Sequence, residues 1–138
     1  MISRNDLENR TKEFFDKFCS TSLSVPEWSK PWCFEGTLTN NESKGCYAHL
    51  FGEQVAYIGL AIGNSYSGSG IGSRVSKYWK RHPEHTINNQ LYLPTVDKVD
   101  SIITLPFDNN NYYLAAALEV YLIDKLHPEK NKTYKKSK

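Results

Sequence analysis

Two tyrosines stand ten residues apart in the stretch GCYAHLFGEQVAYIG, residues 45–59, and each lies one residue from a glycine or next to one: Gly45-Cys46-Tyr47 and Tyr57-Ile58-Gly59. Alternation through Cys46–Leu50, a turn glycine at Gly52 and a second apolar run through Val55–Leu60 predict a β-hairpin that brings the two phenols together. The small residues beside them leave room for a close approach to the backbone. Tyrosines are also ordinary strand residues, so the pair alone is compatible with plain packing. Downstream, Arg74 opens a basic stretch, Arg74–Arg81. Glu119 interrupts the run Ala115–Ile123, where apolar side chains occupy nearly every direction round a helix. A buried carboxylate needs a cation or strong donors, or it stays protonated; a basic side chain and a divalent metal are both candidate partners.

The elements that must position these groups follow from pattern. Ser3 and Asp6 predict a helix start, and Leu7, Phe14, Phe15 and Phe18 mark one face of an amphipathic helix to about Phe18. Residues 25–32, VPEWSKPW, carry two prolines that forbid regular structure and two tryptophans, Trp28 and Trp32. A strap packed on the core is the expected role; an exposed tryptophan stacking on a nucleobase is the other. Cys33–Leu38 predicts a short extra strand. Residues 63–73, GNSYSGSGIGS, precede a basic amphipathic helix expected over Arg74–Arg81. A glycine-rich loop running into a helix start suggests an anion site on free N–H groups, or else a flexible insert. Neither a dinucleotide fingerprint nor a P-loop is present. Residues 84–95 read as loop, Val96–Leu105 as a strand stopped by Pro106, and Tyr112–Leu126 as the strongest helix, capped by Asp108 or Asn109–Asn111 and stopped before Pro128.

With 138 residues, 39% hydrophobic and 23% charged, the chain suits one folded domain. No apolar run is long enough to span a bilayer and Met1–Arg10 is too polar for a signal peptide, so a cytoplasmic location is expected, delivery elsewhere staying open. Cys19, Cys33 and Cys46 lack metal-site spacing and are expected to be free thiols. The net charge of +2 is unevenly spread. Residues 1–44 hold six basic and seven acidic side chains, whereas 121–138 hold six lysines against Asp124 and Glu129. Arg74, Lys77, Lys80 and Arg81 face Glu84 alone in 70–90. That excess suits a polyanion partner, or a merely soluble tail.

Gly45-Cys46-Tyr47, Tyr57-Ile58-Gly59, Arg74, Glu119 and Asn131, in this order, resemble the GIY-YIG nuclease family over residues 45–131. The resemblance implies an α/β (α+β) fold: a three-stranded antiparallel sheet flanked by helices, its third strand at 97–105. Residues 1–44 would form a helical extension and strap packed on the core, and 132–138 a basic tail. It further implies Tyr47 and Tyr57 as paired active-site tyrosines, Arg74 as the essential arginine, Glu119 as the ligand of Mg²⁺ (or Mn²⁺), and Asn131 as a supporting residue. Tyr47 is the expected general base and Tyr57 its orienting partner, with the assignments interchangeable. Three departures stand out. Cys46 replaces the middle isoleucine. The interval from Gly59 to Arg74 is longer than usual, with Arg81 as the fallback arginine. Tyr78 holds the place of a frequent histidine, where Lys77 or His82 could also reach in.

The function implied is a metal-dependent DNA endonuclease, a phosphodiester hydrolase. A restriction enzyme, a phage or mobile-element nuclease, and a toxin nuclease held by an immunity protein fit equally, and a homodimer could extend DNA readout. A catalytically silent nucleic-acid binding module with the same fold is the alternative. An enzyme binding a nucleotide on the glycine loop is a third, lacking any confirming acid or lysine.

Overall fold

Strands β1 (Lys44–Phe51) and β2 (Gln54–Ala61) form the hairpin anticipated from their alternation, joined through Gly52 and Glu53. Gly52 adopts φ +61°, the left-handed conformation that closes so short a turn. A third strand, β5 (Ser101–Phe107), pairs antiparallel on the other side of β1, giving the order β2-β1-β5. This computed structural model describes residues 1–20, 22–63 and 70–131. The loop at 64–69, central to the expected glycine-rich insert, and the basic tail at 132–138 lie outside the described residues. The described chain is a mixed α+β fold with this three-stranded sheet and three α-helices.

Period-2 alternation sends side chains to opposite faces, and both faces are covered. Cys46, Ala48, Ile58, Ile103 and Leu105 pack against helices α1 (Arg4–Phe18) and α3 (Leu114–Leu126) through Leu7, Phe14, Phe15, Ala115, Leu118 and Leu122. Tyr47, Ala61 and Ile102 meet Trp32, Phe34 and Leu38 of the strap with Ile71 and Val75 of the short helix α2 (Ile71–Val75). Each fully buried aliphatic side chain here contributes about 1.5–3 kcal/mol. No described helix is long and apolar enough to cross a membrane.

Helix α1 begins as its sequence predicts: Asp6 N–H donates to Ser3 Oγ at 3.1 Å and Ser3 N–H to Asp6 Oδ2 at 2.9 Å, a reciprocal capping box. Its Glu13 accepts from Tyr121 Oη at 2.6 Å, tying α1 to α3. The strap behaves as packing. Trp28 and Trp32 are both buried, and Trp28 Nε1 donates to Thr11 Oγ1 at 3.0 Å, which removes the alternative of an exposed, base-stacking tryptophan.

Several expectations need correction. The helix expected over Arg74–Arg81 is instead α2, a 3-10 turn at Ser76–Tyr78, and strand β3 (Trp79–Arg81). Strand β3 pairs with β4 (Tyr92–Pro94), inside a segment expected to be loop; aromatic residues with a pairing partner at hand favour strand over a weakly supported helix. Cys33–Leu38 is not a strand, because Phe34 and Gly36 take φ of +67° and +71°. The third strand starts at Ser101 rather than Val96, since Lys98 turns into φ +54°. Nor does Pro106 end it. Ile102 and Thr104 N–H point away from β1, to Trp32 O and Ser29 Oγ, so the donor that proline lacks would also lie on the outer edge. Helix α3 starts at Leu114, and its N-cap residue, Tyr113, makes no side-chain capping bond.

Of the anion site expected at the loop-to-helix junction, residues 64–69 lie outside the described residues, and two of the described N–H groups are committed elsewhere. Ile71 N–H donates to Ser43 O and Gly72 N–H to Asn41 O, each at 2.8 Å, so those donors are already used. Gly70, at φ +101°, lies so close to Glu42 O and Ser43 O that a Cβ would stand 2.8 Å from each. Glycine here docks α2 against the lead-in to β1.

Candidate active site

Tyr47, His49 and Tyr57 emerge on the same sheet face, because β1 alternates and the register sets His49 opposite Tyr57 and Tyr47 opposite Gly59. The two phenols are therefore diagonal neighbours, with ring centroids 6.1 Å apart. The absent side chain of Gly59 is what accommodates Tyr47: a Cβ there would run into the Tyr47 ring carbon bearing the hydroxyl. Tyr78, from the 3-10 turn after α2, completes a cluster. Its Oη lies 3.3 Å from Tyr47 Oη, and its ring stands edge-to-face on His49 at 4.4 Å. The His49 ring is 5.1 Å from Tyr57.

Arg74 lies exposed four residues before Tyr78. Its positive charge is felt by both Tyr47 and Glu119. Glu119 is half-buried, and burial raises its carboxyl above the ordinary value against the opposing pull of Arg74. It makes no ion pair or hydrogen bond among the described residues. Cys46, in the core at the isoleucine position, donates its thiol to Ala115 O at 3.3 Å and fixes the turn of α3 that carries Glu119.

Asn131 closes the arrangement from the edge. Its Oδ1 accepts from Ile58 N–H at 2.9 Å and its Nδ2 donates to Ile58 O at 3.0 Å. One buried amide thus serves as the missing strand partner of β2 at the residue between Tyr57 and Gly59. Of the further candidates, Lys77 lies over the Tyr78 ring at 5.3 Å. His82 sits beyond β3, where its Nδ1 accepts from Glu84 N–H at 3.0 Å. Arg81 is exposed on β3, opposite Tyr92.

Electrostatics separates the two tyrosines. Burial, with the Tyr78 hydrogen bond and neighbouring phenols adding to it, raises the Tyr47 hydroxyl far above its usual value, and Arg74 only partly opposes this. Tyr57 is more accessible and is pushed up to about 12, by burial first and then by Tyr78, while the neighbouring Tyr47 hydroxyl acts in the opposite direction. Both phenols are protonated at neutral pH. The expectation that nearby positive charge depresses a tyrosine is met in sign by Arg74, but burial outweighs it.

His49 is the member of the cluster that sequence reasoning passed over. It is 2% exposed, and its Nε2 has no hydrogen-bond partner among the described residues. Burial and the Lys130 ammonium bring its pKa down to about 3, so the ring is neutral. The signal was available in the parity of residues 47 and 49 along a half-polar strand.

Among the described residues no group of three or more His, Cys, Asp or Glu converges. Glu119, half-buried and without a partner among the described residues, is the kind of carboxylate ligand Mg²⁺ uses while keeping most of its waters. No family model, no curated protein and no solved structure matches the chain.

Proposed function

We propose that this protein is a metal-dependent endonuclease that hydrolyses phosphodiester bonds in DNA, built on a GIY-YIG-like module. The observation that carries the reading is a cluster of three phenols beside a pinned strand edge, within the electrostatic influence of an exposed guanidinium and of a half-buried carboxylate that has no partner among the described residues. Hydrolysis needs an activated water, neutralisation of charge on the phosphoryl oxygens and help for the leaving oxygen. Arg74 engages the phosphate through its planar fork. The exposed Lys77, Lys80 and Arg81 extend the same cationic surface along the flanking backbone.

Tyr57, once its own proton has passed to solvent, is as phenolate the better placed acceptor for the proton of the attacking water. It is the more accessible phenol and the nearer to ionisation. Tyr47, buried and held beneath Gly59, takes the orienting part by donating to Tyr57. This exchanges the roles expected from sequence. Asn131 holds the Ile58 backbone and so sets the angle at which Tyr57 leaves the strand. Glu119 would hold the divalent ion, which when bound supplies positive charge to the phosphate and the leaving oxygen.

The test is plasmid cleavage with Mg²⁺, with Mn²⁺ and with EDTA. The reading expects cutting that EDTA abolishes and that Arg74→Ala and Tyr57→Phe each remove. Binding of DNA without cutting under every condition would replace it with a silent binding module.

A further inference from the structure

A polar atom sealed in a core without a partner costs stability, and such an atom beside reacting groups calls for a functional account. Among the described residues His49 Nε2 is such an atom. It is out of reach of water, so a partner must come from the groups already packed round it. Those are the rings of Tyr47, Tyr57 and Tyr78, at centroid distances of 5.8, 5.1 and 4.4 Å. The charge of Lys130 acts on it as well, although that ammonium is bonded to the Asp97 carbonyl. The only polar atoms on the three rings are hydroxyls. Tyr78 is closest, and its present bond to Tyr47 is long for two hydroxyls, at 3.3 Å against a usual value of about 2.7–2.8 Å.

We infer that His49 is a positioning residue: in the substrate-bound protein its Nε2 accepts the Tyr78 hydroxyl, which frees Tyr47 to donate to Tyr57. The inference rests on the nuclease reading above. The physical logic is competition for one hydroxyl. The Tyr47–Tyr78 bond can run in either direction; when Tyr47 is the donor its hydrogen is held by Tyr78 rather than Tyr57, and Tyr78 also disfavours ionisation of Tyr57. Once Tyr78 turns to His49, Tyr47 donates fully to Tyr57, and a phenol that receives a hydrogen bond gives up its proton more readily. A neutral imidazole with its proton on Nδ1 is the state that can accept, and burial keeps the ring neutral. Tyr78 stands four residues after Arg74, so a phosphate drawn to the guanidinium acts on the same short segment.

The experiment compares wild type, His49→Phe, His49→Gln, Tyr78→Phe and the double variant His49→Phe/Tyr78→Phe in Mg²⁺-dependent cleavage of a duplex. Melting temperatures are measured alongside. His49→Phe should lower kcat about tenfold with KM little changed, the loss of one well-placed hydrogen bond. It should move the rising limb of the pH–rate profile about one unit to the alkaline side. Its melting temperature should hold or rise by about 2–4 °C, because the orphaned nitrogen is gone. His49→Gln, with an amide acceptor near the Nε2 position, should recover most of the rate. In the Tyr78→Phe background, His49→Phe should have less than about a twofold effect, since its partner is absent.

Loss of rate and of melting temperature together, without rescue by glutamine, would assign His49 to packing and overturn the role. Equal rates for wild type and His49→Phe would overturn it while leaving the nuclease reading intact. Wild type that cuts no DNA would bring down both.

Discussion

Asn131→Ala should destabilise the fold by about 2–4 kcal/mol. The native amide makes two bonds to one residue, at 2.9 and 3.0 Å, and is only 3% exposed. Each bond contributes about 0.5–1.5 kcal/mol net, and truncation also leaves the Ile58 N–H and C=O without partners on the edge of β2. For a chain of 138 residues that loss corresponds to a fall in melting temperature of about 6–15 °C. Urea titration followed by tryptophan fluorescence measures it, and amide exchange at Ile58 localises it. Asn131→Asp sharpens the test. Aspartate keeps the acceptor for Ile58 N–H but turns a second anionic oxygen onto Ile58 O. Its loss at pH 7 should therefore exceed that of alanine. Protonation restores a donor, so the folded-state pKa of this aspartate is raised, and its stability should improve as pH falls. An alanine loss below about 1 kcal/mol, or an aspartate tolerated at pH 7, would refute the account of Asn131 as the strand partner of β2.

Gly59→Ala should cost about 1–3 kcal/mol through overpacking against Tyr47, seen as a lower urea midpoint, and should lower cleavage by displacing that phenol. Glu119→Gln should stabilise the metal-free protein at neutral pH. The folded-state pKa of Glu119 is raised, so its ionisation opposes folding as pH climbs from the ordinary carboxylate value through the raised one; the difference between the two proteins should vanish in acid. Added Mg²⁺ should then raise the melting temperature of wild type and leave Glu119→Gln unmoved. His49, held down to about 3, gives the opposite sign: its contribution is present above about pH 6.5 and is lost as pH falls toward 3, a slope that His49→Phe should flatten in urea titrations between those values.

What the sequence made legible was whatever local pattern controls. Alternation around the Gly52 turn predicts the hairpin, but the common face of Tyr47 and Tyr57 depends on a register shift between His49 and Leu50, which alternation does not reveal. The capping box of Ser3 and Asp6, and the apolar run through Leu122, likewise predict their helices. The strands β3 and β4 were not legible, because three residues carry too little periodicity, and only their pairing across the intervening segment makes them strands. Nor could local pattern show that the N–H groups of Ile71 and Gly72 are taken by residues some thirty positions away. The tyrosine pKa values depend on the depth of burial, which spacing does not reveal. Asn131 was identifiable only through the family resemblance; its grip on Ile58 spans 73 residues and is a tertiary contact.

The most direct test of the proposed nuclease is single-turnover cleavage of a DNA duplex by wild type, Glu119→Gln and Arg74→Lys, with DNA binding measured separately. The account predicts Mg²⁺-dependent strand scission by wild type. It predicts near-complete loss in Glu119→Gln with binding retained, and a large loss in Arg74→Lys, where a point charge replaces the planar fork. Scission by Glu119→Gln at the wild-type rate, or undiminished cutting in EDTA, would contradict it.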